Sequence, residues 1–197
     1  MQRPDCNISF TNALIAVGSN GSSEVNLSFS IVRDAVDRVV GESGGKAVVS
    51  RFYRTPAFPA GAGPDFVNAA FAIDWSGSAE DLLALLHRVE VDAGRTRTRR
   101  WEARVLDLDL LALGEQVRPD AETQTAWRTM PLAEAATRAP GQLVLPHPRL
   151  QERGFVLVPL ADVAPDWRHP LTGDTVQQML DRLPAADLHE IVPLDPD

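Results

Sequence analysis

The segment Arg95-Thr-Arg-Thr-Arg-Arg-Trp-Glu-Ala-Arg-Val-Leu-Asp-Leu-Asp-Leu-Leu111 carries more information on the fold than any other part of the chain. It begins with a cluster of arginines and ends in a strand-like alternation of leucine and aspartate. Because successive side chains of an extended strand point to opposite faces, the leucines share one face and the carboxylates of Asp107 and Asp109 share the other. The alternation therefore predicts a half-buried strand that follows a basic loop.

The two carboxylates of this strand indicate a cation site. Their α-carbons lie roughly 6.6 Å apart in an extended strand, so that both side chains can reach a shared ion. A hard cation such as Mg²⁺ relieves the repulsion of like charges on one face, and it binds carboxylates together with substrate phosphates. Since guanidinium groups are good partners of phosphate oxygens, the segment favours a metal–polyphosphate site. The alternative is a solvated strand face beside a solvated loop.

Composition restricts the class of protein. With 197 residues, of which 44% are hydrophobic and 23% charged, the chain is most simply one globular domain. A formal charge of −8 argues against a broad nucleic-acid-binding surface. No apolar run approaches the ~20 residues of a membrane span. A single cysteine, Cys6, excludes an internal disulfide, and the N-terminus lacks a signal-peptide pattern, so we expect a cytoplasmic protein.

Periodicity along the chain predicts alternating strands and helices. The order of these elements is β-α-β-β-α-β, which indicates the α+β class and a ferredoxin-like core with two helices packed on one face of an antiparallel sheet. The predicted strands cover 13–17, 46–54 and 66–75, together with the aspartate strand that ends at residue 113, and the predicted helices cover 25–40 and 79–93.

The remaining segments complete a single predicted domain. We expect residues 13–185 to form this domain, with residues 1–12 as a flexible N-terminal arm and residues 186–197 as a flexible C-terminal tail. Residues 116–142 are polar and punctuated by proline, so they are interpreted as an insertion with weak helical character near 131–138.

The segment that follows the insertion ends in short helices. Apolar residues at helical spacing predict one C-terminal helix over 153–163 and a second over 175–183.

Five short motifs stand in order on the predicted elements. They are Ala16-Val-Gly-Ser-Asn20, Phe52-Tyr-Arg-Thr-Pro56, Pro64-Asp-Phe-Val-Asn-Ala-Ala70, Arg100-Trp-Glu-Ala-Arg-Val-Leu-Asp-Leu-Asp-Leu-Leu111, and Leu145-Pro-His-Pro148 with Arg153-Gly-Phe155. Each motif is weak alone, whereas five in register are specific. From about residue 13 to 183, apart from the insertion, the chain resembles the 6-hydroxymethyl-7,8-dihydropterin pyrophosphokinase family of folate biosynthesis.

The resemblance implies an enzyme that transfers the β,γ-diphosphate of ATP to the hydroxymethyl oxygen of the pterin and releases AMP. It implies that Asp107 and Asp109 hold two Mg²⁺ ions that bridge the phosphates and the attacking hydroxyl, and that Arg95 and Arg104 join them in catalysis. ATP is then a co-substrate. The ATP-binding residues implied by the resemblance are His87, Glu90, Arg95, Arg97, Arg104, His147 and Arg153.

A pterin site is implied by the same motifs. The flat heterocycle needs aromatic faces, for which Phe66 and Phe155 stand at the matching positions, and Asn68 offers both a donor and an acceptor to its amide edge. The turn after the first strand is implied to close over the ring. The complete implied set is Gly18, Ser19, Asn20, Thr55, Phe58, Phe66, Asn68 and Phe155.

The chain departs from the family pattern in the basic loop. Thr98 stands where a lysine is common, and Glu102-Ala103 replaces the usual Gly-Pro. Because no metal ligand is lost, we expect an active enzyme that acts on small molecules, with no nucleic-acid or membrane partner and with a contact to other folate-pathway enzymes as an open question. The alternatives are a ferredoxin-like RNA-binding or regulatory module and a weakened paralogue that still binds pterin.

Overall fold

The computed structural model describes residues 11–22, 24–57, 63–94 and 105–194, which form an antiparallel sheet with helices on both faces. The strands are β1 (Thr11–Ser19), β2 (Ala47–Val49), β3 (Phe52–Thr55), β4 (Phe66–Trp75), β5 (Asp107–Leu113) and β6 (Val192–Leu194). The helices are α1 (Val25–Ser43), α2 (Ala79–Asp92), α3 (Ala121–Thr129), α4 (Leu132–Ala135), α5 (Gly154–Val163), α6 (Val176–Asp181) and α7 (Ala185–Leu188).

The sheet has the strand order β5-β1-β4-β3-β6, and β2 also pairs with β4. All of these pairs are antiparallel, so the predicted combination of helices with an antiparallel sheet is confirmed. None of the described helices combines the length and the apolar character that crossing a membrane requires.

Helices α1 and α2 cover one face of the sheet. Val32, Val36 and Val39 recur at helical spacing in α1 and are buried against the strands. Helix α2 begins at a capping box, in which Ser78 Oγ accepts a hydrogen bond from the backbone N–H of Asp81 and the Asp81 carboxylate accepts one from the N–H of Ser78. The predicted helices at 25–40 and 79–93 therefore form close to their expected bounds.

A second, smaller core lies on the opposite face, where α5 and α6 pack. Leu14 and Ala70 of the sheet meet Leu157, Leu160 and Met179 of these helices. The predicted C-terminal helices at 153–163 and 175–183 correspond to α5 and α6. The candidate site described below opens on this face, at the N-terminus of α5.

The prediction of one continuous strand over 46–54 is wrong. It is divided into β2 and β3, and its pairing with β4 shifts by one residue at Ser50. Ser50 Oγ accepts the backbone N–H of Ala70 at 2.9 Å, which replaces a ladder hydrogen bond of the regular strand. As in a β-bulge, the extra residue turns the following side chains over, so that Tyr53 rather than Phe52 is buried.

Part of the segment that was predicted as a flexible C-terminal tail has regular secondary structure. Val192–Leu194 form β6, which pairs with β3 at the edge of the sheet, and α7 precedes it. A short run that contains Pro193 carries a weak strand signal, because proline is tolerated only at edge strands or bulges. At the other end of the domain, β1 begins at Thr11, two residues before the predicted start.

The insertion at 116–142 contains two helices. Helix α4 overlaps the predicted helical stretch, whereas α3 was not predicted because its sequence is polar. Asp120 Oδ1 accepts the N–H of Thr123 and caps α3, and the buried Gln124 donates from Nε2 to the carbonyl of Pro146. Capping and one buried amide, rather than an apolar stripe, thus hold α3 in place.

Asp162 of α5 joins this helix to β3. Its carboxylate accepts hydrogen bonds from the Tyr53 hydroxyl at 2.8 Å and from Arg51 through the backbone N–H, Nε and Nη2. Partial burial raises the pKa of Asp162, but the hydrogen bonds from Arg51 and Tyr53 together outweigh it, and the pKa lies below its usual value. Asp162 is therefore charged in the folded protein and stabilises it in that form.

We expect Asp162→Ala to lower the free energy of unfolding by about 2–3 kcal/mol at pH 7, because the buried hydroxyl and the guanidinium both lose a charged acceptor. Since the folded pKa lies below the unfolded value, this contribution is present above about pH 4 and is lost as the pH falls through the folded pKa. Urea denaturation of both proteins at several pH values measures the difference.

The control is Asp34→Ala, which removes a carboxylate from an exposed pair with Arg33. Exposed pairs contribute about 0–1 kcal/mol, so this variant should unfold close to the wild type. Superimposable curves for Asp162→Ala and the wild type at neutral pH would show that the α5–β3 contact is not stabilising.

Candidate functional site

A cavity of about 460 Å³ opens between the sheet and the N-terminus of α5. Its walls come from β1, β3, β4 and β5, from the first turn of α5 and from α4 in the insertion. The described residues that line it are Ala16, Val17, Gly18, Thr55, Pro56, Phe66, Asn68, Asp107, Asp109, Leu132, Arg153, Phe155 and Val156.

Strand register sets the relative positions of the polar residues in this cavity. Gly18 of β1 lies opposite Asn68 of β4 on one side and opposite Asp107 of β5 on the other. Two residues earlier in β1, Ala16 lies opposite Asp109. Because directly paired residues share a face, the two carboxylates and the amide project to the same side of the sheet. The predicted placement of both aspartates on one strand face is confirmed.

Gly18 provides the space that the side chain of Asn68 occupies. A Cβ atom at position 18 would lie 2.5 Å from Asn68 Oδ1, which is closer than any side chain can approach. Asn68 is buried, and its Nδ2 donates to Thr55 Oγ1 at 2.7 Å. This bond fixes the amide plane and leaves the Oδ1 acceptor and one N–H for a ligand.

Arg153 faces the carboxylate of Asp109. Its Nη1 lies 3.2 Å from Asp109 Oδ2, and each side chain is about one-third exposed. The Arg153 guanidinium also lies 5.7 Å from the ring centroid of Phe155, which is 42% exposed. A cation, a carboxylate and an aromatic face thus meet at the mouth of the cavity, where an anionic or planar ligand would contact all three.

The donor set of the cavity suits a hard cation. Asp107 and Asp109 offer carboxylate oxygens from one strand face, and Mg²⁺ is typically bound by one or two carboxylates plus waters and substrate phosphates. Among the described residues, no cluster of three or more His, Cys, Asp or Glu surrounds a metal position. Any cation held here would therefore share its coordination with water or substrate.

His147 lies close to this charged group. Burial lowers the pKa of His147 to about 4; Asp109 opposes that shift, and the charges of Arg153 and Arg149 add to it. Its Nδ1 accepts the backbone N–H of Arg149 at 3.2 Å, so that Nε2 carries the proton of the neutral ring. At neutral pH His147 is an uncharged hydrogen-bond donor, although it is not among the described residues that line the cavity.

In the turn after β1, the side chains of Ser19 and Asn20 contact the backbone of other segments. Ser19 is buried, and its Oγ donates to the carbonyl of Val105 at 2.6 Å. Asn20 is 7% exposed, and its Nδ2 lies 3.5 Å from the carbonyl of Pro64. Apart from Gly18, this turn therefore anchors the segments next to 58–62 and 95–104 instead of lining the cavity with its side chains.

Glu90 and His87 of α2 also lie outside the cavity lining. Glu90 is 1% exposed, and its Oε1 accepts the backbone N–H of Leu108 at 2.9 Å. Since β5 is at the edge of the sheet, this N–H points away from β1, and the carboxylate satisfies it. The geometry supports a structural role for Glu90, while His87 is exposed on the helix surface.

Several predicted residues lie outside the described part of the chain. They are Phe58 of the predicted pterin site and the basic residues Arg95, Arg97 and Arg104, and the departures at Thr98 and Glu102-Ala103 fall in the same loop.

Some lining residues carried no sequence signal. Leu132, 70% exposed, reaches the cavity from α4, and the carbonyl of Met130 beside that helix accepts a hydrogen bond from Arg149 Nη1 at 2.9 Å. A single leucine in a polar segment looks like any leucine of a loop, so its position in the cavity could not be predicted. Val156 was likewise not predicted, because small and apolar side chains are equally typical of core. Ala16, Val17 and Pro56 stand in the quoted motifs but were not predicted as site residues for the same reason.

Two substitutions of Glu90 test whether its contact with β5 stabilises the fold. Glu90→Gln keeps an acceptor for the Leu108 N–H, whereas Glu90→Leu leaves this buried group unpaired, and we expect only the second to lower the free energy of unfolding, by about 1–3 kcal/mol. Thermal or urea denaturation of the two variants measures the effect. Equal stability of Glu90→Leu and the wild type would argue that the carboxylate is not structural.

The chain matches one protein family and several named relatives. Residues 14–165 match the family 7,8-dihydro-6-hydroxymethylpterin-pyrophosphokinase (HPPK). The 2-amino-4-hydroxy-6-hydroxymethyldihydropteridine pyrophosphokinase of Methylorubrum extorquens is 33% identical over 182 residues, which cover 92% of this chain and 99% of that protein. The protein of the same name from Pseudomonas aeruginosa is 36% identical over 156 residues, covering 79% and 82%.

Other relatives are longer than this chain. The Synechocystis pyrophosphokinase is 33% identical over 144 residues, which cover 73% of this chain but 63% of that protein. The crystal structure of Plasmodium falciparum HPPK-DHPS A437G with STZ-DHP has a TM-score of 0.60 at 11% identity and covers 92% of this chain and 47% of that chain. At this identity the likeness concerns the fold alone.

Proposed function

The chain belongs to the 7,8-dihydro-6-hydroxymethylpterin-pyrophosphokinase family, and we propose that the cavity beside α5 is its active site. The protein is an ATP-dependent pyrophosphokinase of folate biosynthesis that transfers pyrophosphate from ATP to the hydroxymethyl group of the dihydropterin. The observation that carries the proposed site is the row of paired residues Asp107, Gly18 and Asn68, which brings carboxylates and a fixed amide into one cavity.

The pterin is proposed to bind at the amide end of this row. Asn68 supplies an acceptor and a donor to the amide and amino edge of the ring, and Thr55 holds the Asn68 side chain in position. Phe66 and Phe155 line the same cavity and offer aromatic faces to a flat heterocycle. The exposure of Phe155 supports this role, since a phenylalanine that only fills a core is normally buried.

The polyphosphate of ATP is proposed to bind at the carboxylate end. Asp107 and Asp109 would hold two Mg²⁺, which when bound neutralise the phosphates and lower the pKa of the attacking hydroxyl. Arg153 neutralises Asp109 in the structure and supplies a guanidinium to phosphate oxygens. His147 donates a neutral hydrogen bond, and Arg95, Arg97 and Arg104 are proposed as further phosphate partners.

The ferredoxin-like arrangement, the cellular location and the contact with other enzymes are proposals. The strand order β5-β1-β4-β3 with α1 and α2 on one face supports assigning residues 11–113 to the ferredoxin-like arrangement. A cytoplasmic location and a contact with other folate-pathway enzymes stay predictions from the sequence.

The assay that tests the proposed site is release of AMP from ATP in the presence of Mg²⁺ and 6-hydroxymethyl-7,8-dihydropterin. We expect Asp107→Asn and Asp109→Asn each to lower turnover by about 10²-fold or more, because the loss of a carboxylate weakens a shared cation site and with it the stabilisation of transferred charge.

Asp34→Asn is the matched control, since it makes the same change of charge at an exposed position of α1. Melting temperatures show that each variant is folded. AMP release at the wild-type rate from folded Asp107→Asn or Asp109→Asn protein would remove the aspartates from the active site, whereas no AMP release by the wild type would overturn the activity itself.

A further inference from the structure

Leu132 is the only described residue of the insertion at 116–142 that lines the candidate active site. It is the first residue of α4, and at 70% it is the most exposed of the large apolar side chains that the structure describes. Phe155 is a second exposed apolar side chain of the same lining. Single exposed apolar residues are common, whereas two that share one cavity offer an apolar surface to a ligand. The roles proposed above use Phe155 and leave Leu132 without one.

The backbone around α4, rather than packing of its own side chain, sets the position of Leu132. Two residues earlier, the carbonyl of Met130 accepts a hydrogen bond from Arg149 Nη1 at 2.9 Å. The carbonyl of Pro131 then accepts the N–H of Ala135 and closes the single turn of the helix. The short helix therefore begins beside a point that Arg149 holds.

Arg149 is itself held by the segment that leads into α5. Its side chain is 13% exposed, its Nη2 pairs with Glu152, and its backbone N–H donates to His147 Nδ1. Helix α3 is anchored separately, to the carbonyl of Pro146. The insertion is thus fixed at two points to the segment before α5, and the anchor at Arg149 is the one next to Leu132.

We propose that Leu132 is a further pterin-binding residue, which the insertion places against the bound heterocycle, and that Arg149 positions it through the carbonyl of Met130. This inference rests on the proposed function of the cavity. Pterin rather than adenine is the ring concerned, because Asn68 and Phe66 line the same cavity and suit the edge and the face of a pterin. A ring that covers the exposed leucine removes apolar surface from water, which favours binding.

The contact is tested by calorimetric titration with 6-hydroxymethyl-7,8-dihydropterin in the presence of a saturating, non-hydrolysable MgATP analogue. Leu132→Ala should weaken pterin binding by about fivefold or more, because part of the apolar contact is lost. Leu132→Met keeps an apolar side chain of similar volume and should bind within about twofold of the wild type. In the AMP-release assay, Leu132→Ala should raise the KM for pterin and leave kcat close to that of the wild type.

Leu27→Ala is the matched control, since Leu27 is an exposed leucine of α1 outside the described lining. It should leave pterin affinity unchanged. Because both leucines are exposed, neither substitution should shift the melting temperature by more than about 2 °C. Weaker pterin binding by Leu132→Ala then reports a lost contact rather than a lost fold, and its affinity for the MgATP analogue alone should equal that of the wild type.

A double-mutant cycle with Arg149→Met tests the positioning role. Arg149→Met should weaken pterin binding, and adding Leu132→Ala to it should cost less than about twofold, because the leucine is then no longer held at the cavity. Arg149→Lys, which retains a donor for the carbonyl of Met130, should restore most of the affinity. Full additivity of the two substitutions would remove Arg149 as the positioning residue.

The outcomes for Leu132 separate the inference from the proposed function. Equal pterin affinity of Leu132→Ala and Leu27→Ala would overturn the role of Leu132, and a loss of nucleotide affinity without a loss of pterin affinity would overturn its assignment to pterin. The proposed activity would survive both results, since the wild type would still bind pterin and release AMP. Absence of pterin binding by the wild type would overturn the activity and this inference together.

Discussion

Strand β1 is paired along both of its edges, with β4 on one side and β5 on the other, and this double register sets the geometry of the site. Side chains alternate with a period of two, so a slip of one residue in either pairing would turn Asp107 or Asn68 into the opposite core. The β1–β5 pairing shifts by one residue between Leu14 and Ile15, but it keeps one register from Ile15 to Gly18, where the site lies. Leu14 still faces one core, while Ala13 and Ile15 face the other.

One carboxylate of the candidate site has a cationic partner before any ligand is present. Asp109 is paired with Arg153, and His147 is kept neutral by burial. Cations would take the carboxylate and phosphate oxygens would take the guanidinium, so each ligand releases the partner that the other needs. Binding of this kind is reciprocal, so the cation and the phosphate should raise each other's affinity by the same factor.

Sequence patterns predicted the elements whose form depends on residues close together along the chain. Alternation of leucine and aspartate identified β5 and the shared face of Asp107 and Asp109, and helical spacing identified α1 and α2. The break at Ser50 was not predicted, because it depends on a side-chain hydrogen bond to a distant strand. Strand β6 was not predicted for a related reason, since it pairs with β3, which lies far away in the sequence.

Residue chemistry alone also did not separate functional from structural polar groups. Ser19 stands in a motif and Glu90 at a position that the resemblance implies, and each forms a hydrogen bond with a backbone group of the segment around β5. Their burial follows from tertiary packing: Glu90 lies on the face of α2 that also buries Leu86 and Val89. The motifs therefore indicated which elements meet at the cavity, and the structure shows which of their side chains line it.

The central claim is that the close pairing of Gly18 with Asn68 shapes the pterin site, and Gly18→Ala tests it most directly. The added Cβ would lie 2.5 Å from Asn68 Oδ1, so the amide must move, while Gly41→Ala adds the same atom where nothing lies within 4 Å. Calorimetry should show pterin affinity reduced by about tenfold or more in folded Gly18→Ala, since its edge contacts are lost, with MgATP affinity nearly unchanged and Gly41→Ala like the wild type. Wild-type pterin affinity in Gly18→Ala would contradict the account.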